Sequence, residues 1–69
     1  MDMVPVVSEN VAFAGYDHAT RTLRIRFRSG GTYDYVDVPV FLFEAMLRPH
    51  PWRRVGREIR AHLYHRVPA

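Results

Sequence analysis

Between Thr22 and Arg28 the chain alternates without exception. Leu23, Ile25 and Phe27 are apolar, and Arg24, Arg26 and Arg28 are cationic. A period of two places the first set on one face of a strand and the second on the other. One face must enter a core, and three guanidinium groups must stay wet or meet a partner. The flanking residues extend this strand into a meander. Val11-Ala12-Phe13-Ala14-Gly15-Tyr16 reads as a preceding strand, with Asp17-His18-Ala19-Thr20-Arg21 as a turn in which Asp and Thr bond nearby backbone. Ser29-Gly30-Gly31 turns the chain into Thr32-Tyr33-Asp34-Tyr35-Val36.

Side-chain chemistry selects the register. A two-residue Gly30-Gly31 turn sets Phe27 opposite Asp34, which buries a carboxylate or wets an aromatic ring. A three-residue Ser29–Gly31 loop sets Phe27 opposite Tyr33, Ile25 opposite Tyr35, and Arg26 opposite Asp34. Apolar pairs then share one face and an ion pair takes the other. The same reasoning for a loop over 17–21 sets Phe13 opposite Ile25 and Val11 opposite Phe27.

From Pro39 the period lengthens. Proline suits a first helical turn, and Asp37 just before it is placed to help cap. Leu42, Phe43, Met46 and Leu47 form an inward stripe, with Phe41 off it. Pro49 and Pro51 bracket His50 and break the helix. Pro51 opens a second helix, in which Trp52, Val55, Ile59 and Leu63 share a face and Arg53, Arg54, Arg57 and Arg60 cover the rest. The expected fold is α+β: a three-stranded antiparallel meander followed by two helices packed on one face, in the order β-β-β-α-α. Residues 1–69 form one domain. Its first residues are a tail or lead-in strand, and 1–7 and 67–69 are candidate flexible ends.

Size and composition bound the function. A folded chain of 8.1 kDa exposes about 4,500 Å², enough for one small core and no second domain. There is no cysteine, so neither a disulfide nor a thiolate zinc site is available. No long uncharged apolar run or secretion signal is present, which argues against a membrane partner and makes the cytoplasm the default compartment. Ten arginines, no lysine and seven acidic residues leave a formal charge of +3. Arginine without lysine suits bidentate recognition of phosphate or carboxylate, and follows equally from compositional bias.

The sequence resembles the KTSC domain, a small domain named from the C-terminus of some lysyl-tRNA synthetases and also found free-standing. The family's mark is a tyrosine-x-tyrosine pair, here Tyr33-Asp34-Tyr35. Around it stand Gly15-Tyr16-Asp17, Thr22-Leu23 with Phe27, Ser29-Gly30-Gly31, Val38-Pro39, and Ile59-Arg60 with Tyr64 and Arg66. The resemblance spans roughly residues 7 to 67. Pro49-His50-Pro51-Trp52-Arg53-Arg54 departs from the small serine-and-glycine segment usual between the helices. The synthetase context implies a nucleic-acid partner.

The candidate site residues fall into three sets. For RNA or DNA, Arg24, Arg26 and Arg28 form a row on the outer sheet face, and Arg53, Arg57 and Arg60 form a basic helix face. Tyr33, Tyr35, Tyr64 and Arg66 are candidates for phosphate contact or base stacking, as are Tyr16 and Trp52 for stacking. The preferred register turns Tyr33 and Tyr35 toward the core, where packing is their alternative role. For a larger protein or a second copy of the chain, Phe41 is the candidate contact. Chemistry of the chain's own is not expected. Ser8 and Ser29 lack evident triad partners, and there is no phosphate-binding loop opening a helix. Glu58, His62 and His65 have ligand-like spacing at a helix end, but the nearby Pro68 argues that the helix is finishing. No metal and no cofactor are assigned.

Overall fold

The computed structural model describes residues 1–68. Its elements are β1 (Met3–Pro5), β2 (Val11–Asp17), β3 (Thr22–Phe27), β4 (Thr32–Tyr35), α1 (Val40–Met46), α2 (Pro51–Arg60) and β5 (Tyr64–Arg66). The strands form one antiparallel sheet in the order β1-β2-β3-β4-β5. The expected three-stranded meander is therefore corrected to five strands, and the two helices lie between β4 and β5. A three-stranded sheet leaves two rows of backbone donors and acceptors unpaired at its edges. Here Met3–Pro5 pairs with one edge and Tyr64–Arg66 with the other. Each added strand has only three residues, too few for a period to show. Pro5 sits on the outermost strand, where a missing donor is tolerated. Of the candidate end 67–69, Val67 donates its N–H to the Thr32 carbonyl at 2.8 Å, and Ala69 lies outside the described residues.

Both hairpin registers differ from expectation. In the second, Leu23 faces Tyr35, Arg24 faces Asp34, Ile25 faces Tyr33 and Arg26 faces Thr32. The turn is tightened by Phe27 N–H to the Gly31 carbonyl (2.8 Å) and Gly30 N–H to the Phe27 carbonyl (2.9 Å). Gly30 adopts φ 113°, a region closed to most side chains. The slip is two residues, so every side chain keeps its expected face while the carboxylate changes partner.

In the first hairpin, Val11 faces Phe27 as expected, but a bulge at Ala12 sets Phe13 opposite Arg26 and Ala14 opposite Ile25. An extra residue in one strand reverses the alternation beyond it. Phe13 therefore leaves the core and Ala14 enters it.

The core joins Leu23, Ile25, Val11, Ala14 and Tyr35 of the sheet to Leu42, Met46 and Ile59 of the helices, with Val6 and Val38. Trp52 and Val55 pack against it as expected. Leu47 and Leu63 do not, because α1 ends at Met46 and α2 at Arg60, and both leucines are exposed. Asp37 does not cap α1. It takes the left-handed conformation (φ 54°), and its carboxylate meets Arg21 at 3.2 Å. Arg21 and His50 share that φ, and His50 holds the corner between the helices by donating its N–H to the Val7 carbonyl at 2.7 Å.

Candidate nucleic-acid interface

Because both helices pack on one face of the sheet, the other face stays open. The registers lay two rows of residues across it. Pro5, Phe13, Arg26 and Thr32 form the first, and Met3, Gly15, Arg24, Asp34 and His65 form the second. The β1–β2 side is mainly apolar and the β3–β5 side polar. Phe13 is 39% exposed.

The polar side is organised by one ion pair. Arg24 Nε donates to Asp34 Oδ1 at 2.7 Å, and Arg24 Nη2 donates to Oδ2 at 2.9 Å. Asp34 is only 7% exposed, so this fork replaces most of its hydration. The bonds to Asp34 raise the Arg24 pKa above its ordinary value, against an opposing effect of burial. His65 Nε2 lies 3.9 Å from the same carboxylate. Arg24 is thus a neutralised cation. Arg26, one strand position pair away, is exposed and makes no ion pair among the described residues.

Two grooves meet at Arg26 and Thr32. One, of about 360 Å³, is lined by Met3, Phe13, Arg24, Arg26 and Thr32. The other, of about 310 Å³, is lined by Arg26, Gly30, Thr32, Arg66, Val67 and Pro68. Together they offer an aromatic ring at one end, a free cation in the middle and a second arginine at the other end.

The remaining arginines lie elsewhere. Arg28 is past the end of β3, and its Nε donates to the Ser8 carbonyl at 2.8 Å. Arg53 approaches Glu9 at 3.7 Å, and Arg60 sits over the Trp52 ring with Cζ 5.6 Å from its centroid. Arg53, Arg57 and Arg60 belong to α2, on the helix side of the sheet. The six arginines proposed from sequence therefore do not share one surface.

The tyrosines do come together, on that same helix side. Tyr35 faces Tyr64 and Tyr33 faces Arg66 across β4 and β5. Tyr64 lies 5.8 Å from Tyr33 and 5.5 Å from Tyr35 between ring centroids. Phe27 joins Tyr33 at 5.8 Å and Trp52 at 5.2 Å. These are edge-on and tilted contacts of a packed aromatic cluster. Burial raises the Tyr35 pKa, the neighbouring phenols of Tyr64 and Tyr33 add to the rise, and Arg60 opposes it. Tyr64 is 55% exposed, whereas Tyr35 is buried. Tyr16 stacks on Phe43 at 5.5 Å and donates its hydroxyl to the Val38 carbonyl at 2.5 Å, which ties β2 to the start of α1.

Among the described residues, no group of three or more His, Cys, Asp or Glu is placed to hold a metal ion. Glu58, His62 and His65 are separated by the end of α2. His62 Nδ1 lies 3.2 Å from the Val36 carbonyl oxygen, and His65 belongs to the open sheet face. No helix among these residues is long and apolar enough to cross a membrane. Phe41 is 51% exposed and borders a groove of about 300 Å³ with Glu44, Ala45 and Arg48.

Sequence reasoning missed Met3, Phe13 and Thr32 as groove residues. Phe13 reads as a core residue unless the bulge is known, and no local signal marks Ala12 as the bulged position. Thr32 could have been found from its pairing with Arg26, had the hairpin been placed two residues back.

The same fold is found in a solved structure. A crystal structure of a KTSC domain protein from Yersinia pestis superposes with a TM-score of 0.86, at 30% sequence identity, covering 97% of each chain. A protein of Tsukamurella paurometabola is 44% identical over 45 residues, which are 65% of this chain and 67% of that one. The family model for the KTSC domain matches residues 7–64. That match takes in β2 through α2 and reaches the first residue of β5, and on it the chain belongs to the KTSC domain family.

Proposed function

We propose that this small KTSC-fold domain is a non-catalytic accessory module that binds nucleic acid on the open face of its sheet. The observation that supports this reading is the pair of adjoining grooves sharing Arg26 and Thr32, with exposed Phe13 at one end and Arg66 at the other. Arginine contacts to phosphate supply affinity, and an exposed aromatic ring supplies a stacking surface. Of the residues nominated from sequence, Arg26 carries the free charge at this face, and Arg66, which pairs with Tyr33 and so alternates to the helix side, lines the adjoining groove at the β5 edge. Arg24 positions the carboxylate beside them. Arg28, Arg53, Arg57 and Arg60 add to the general field. Tyr33 and Tyr35 serve packing, with Tyr64 at the rim.

The test is fluorescence anisotropy of a labelled oligonucleotide across a salt series. Each phosphate contact contributes about −0.7 to the slope of log K against log salt for a single strand. Arg26→Ser is expected to weaken binding and flatten the slope by about that amount, whereas Arg57→Ser on the far side changes neither markedly. An unchanged slope in folded Arg26→Ser refutes the site.

A second reading rests on a different observation. Val40, Phe41 and Leu47 are all exposed on and beside α1. This surface suits a protein partner, or a second copy of the chain. Sedimentation across a concentration series separates the two, since only self-association depends on the concentration of this chain alone.

A further inference from the structure

The mode of binding inferred for this face rests on the nucleic-acid reading. We propose that the open face takes an unpaired segment of two to three nucleotides, with one base on Phe13, the next phosphate at Arg26, and the strand leaving along the groove that Arg26 and Thr32 share with Arg66 at the β5 edge.

The position of Phe13 favours an unpaired strand. Its ring stands on the sheet face, 39% exposed, beside Met3 and directly across from Arg26. A base inside a duplex already has neighbours stacked above and below. Only a base splayed from its stack presents a free ring face to an aromatic side chain. Arg26 is the adjacent residue on the next strand, so the cation sits beside the ring, where the sugar-phosphate of a stacked nucleotide would run. Thr32, opposite Arg26, adds a hydroxyl to the same spot.

The width of the sheet sets the length of the segment. From Phe13 on β2 to the β5 edge, where Arg66 lines the second groove, the path crosses three strand spacings, about 14 Å. An extended strand advances about 6–7 Å per nucleotide, so the path holds two to three of them. Beyond β5 the second groove runs into Val67 and Pro68, which carry no charge. Asp34 does not repel the strand, because both of its oxygens are engaged by Arg24.

The experiment measures binding of oligoadenylates from dinucleotide to decanucleotide, an abasic strand of matched length, and a duplex of the same sequence. Affinity is expected to climb to the trinucleotide and then rise only in proportion to the number of available positions. The duplex is expected to bind about tenfold more weakly, because no free base face is offered. Phe13→Leu keeps apolar bulk and removes the stacking ring. It is expected to lose about tenfold on oligoadenylate and nothing on the abasic strand. Equal affinity for duplex and single strand, a climb out to the decanucleotide steeper than the number of available positions, or an indifferent Phe13→Leu overturns this inference while Arg26-dependent binding stands. If no oligonucleotide shows Arg26-dependent binding, the underlying reading fails and this inference fails with it.

Discussion

Removing either member of the Arg24–Asp34 pair should destabilise the domain, and the two removals should not be equal. Asp34 is 7% exposed, and its side chain is held by two bonds of 2.7 and 2.9 Å. The Arg24 side chain is one-third exposed. In Asp34→Ala the guanidinium can turn into water and recover much of its hydration. In Arg24→Ala the carboxylate stays enclosed, with His65 as its remaining ion-pair partner among the described residues, at 3.9 Å. Hydrogen bonds to charged groups contribute about 1.5–3 kcal/mol, and stranding a buried charge costs about 3–5 kcal/mol. Partial exposure of Arg24 places Asp34→Ala near the lower figure, about 2 kcal/mol, and Arg24→Ala near about 3 kcal/mol. For a domain of this size that corresponds to Tm losses of about 8–16 °C and somewhat more. A double-mutant cycle by urea unfolding, followed on Trp52 fluorescence, should return a coupling of about 1–2 kcal/mol. High salt should erode it only in part, since the pair is shielded from solvent on the Asp34 side. A coupling below about 0.3 kcal/mol, or a larger loss from Asp34→Ala than from Arg24→Ala, would refute the reasoning.

Three further outcomes are expected. The Tyr35 pKa is raised in the folded state, chiefly by burial, so the protein prefers its protonated form. Its contribution is complete below the ordinary tyrosine value near 10 and is lost as pH rises through the folded value. Chemical denaturation above pH 10 should therefore show falling stability in the wild type and a shallower fall in Tyr35→Phe. His50 occupies the left-handed region at φ 54°. Relief of about 1–2 kcal/mol of strain, set against about 0.5–1 kcal/mol of glycine chain entropy, makes His50→Gly stabilising by a few tenths to 1 kcal/mol, and a higher urea midpoint would show it. A Cβ at Gly15 would stand 2.6 Å from Met3 Sδ and 2.8 Å from the Asp2 carbonyl oxygen. Gly15→Ala should loosen β1 and cost about 1–3 kcal/mol, with faster hydrogen exchange at the β1–β2 amides than elsewhere in the sheet.

What could be read from sequence was what period alone determines. Leu23 and Ile25 are fully buried, and Arg24 and Arg26 face the other way, because alternation fixes the face whatever the partner. The partner depends on turn geometry, and a two-residue difference at Arg28–Gly30 gave Asp34 to Arg24 instead of Arg26. Phe13 was misassigned because a bulge is a property of two strands and leaves no mark on one. The edge strands escaped notice for another reason. Met3–Pro5 and Tyr64–Arg66 are short and largely exposed, and become strands only through the partners they find. The helical stripes were legible through Leu42, Met46 and Ile59. Leu47 and Leu63 were lost where each helix stops earlier than its apolar spacing suggests.

The insertion of both helices between β4 and β5 has a consequence for how the domain opens. The two hairpins bring together residues close in the chain, whereas β5 meets β4 only after the whole helical layer has intervened. Pairings across long chain separations pay more loop entropy, and a three-residue, fully exposed strand recovers little of it. β5 is thus the first strand to peel away. When it goes, it takes Arg66 from the end of the groove and bares the far side of Asp34. On the proposed binding mode, a ligand lying in the groove that Arg26 shares with Arg66 binds only the closed form and stabilises it by mass action. Occupancy and closure then become a single equilibrium, readable as slower amide exchange at Tyr64–Arg66 when the face is filled.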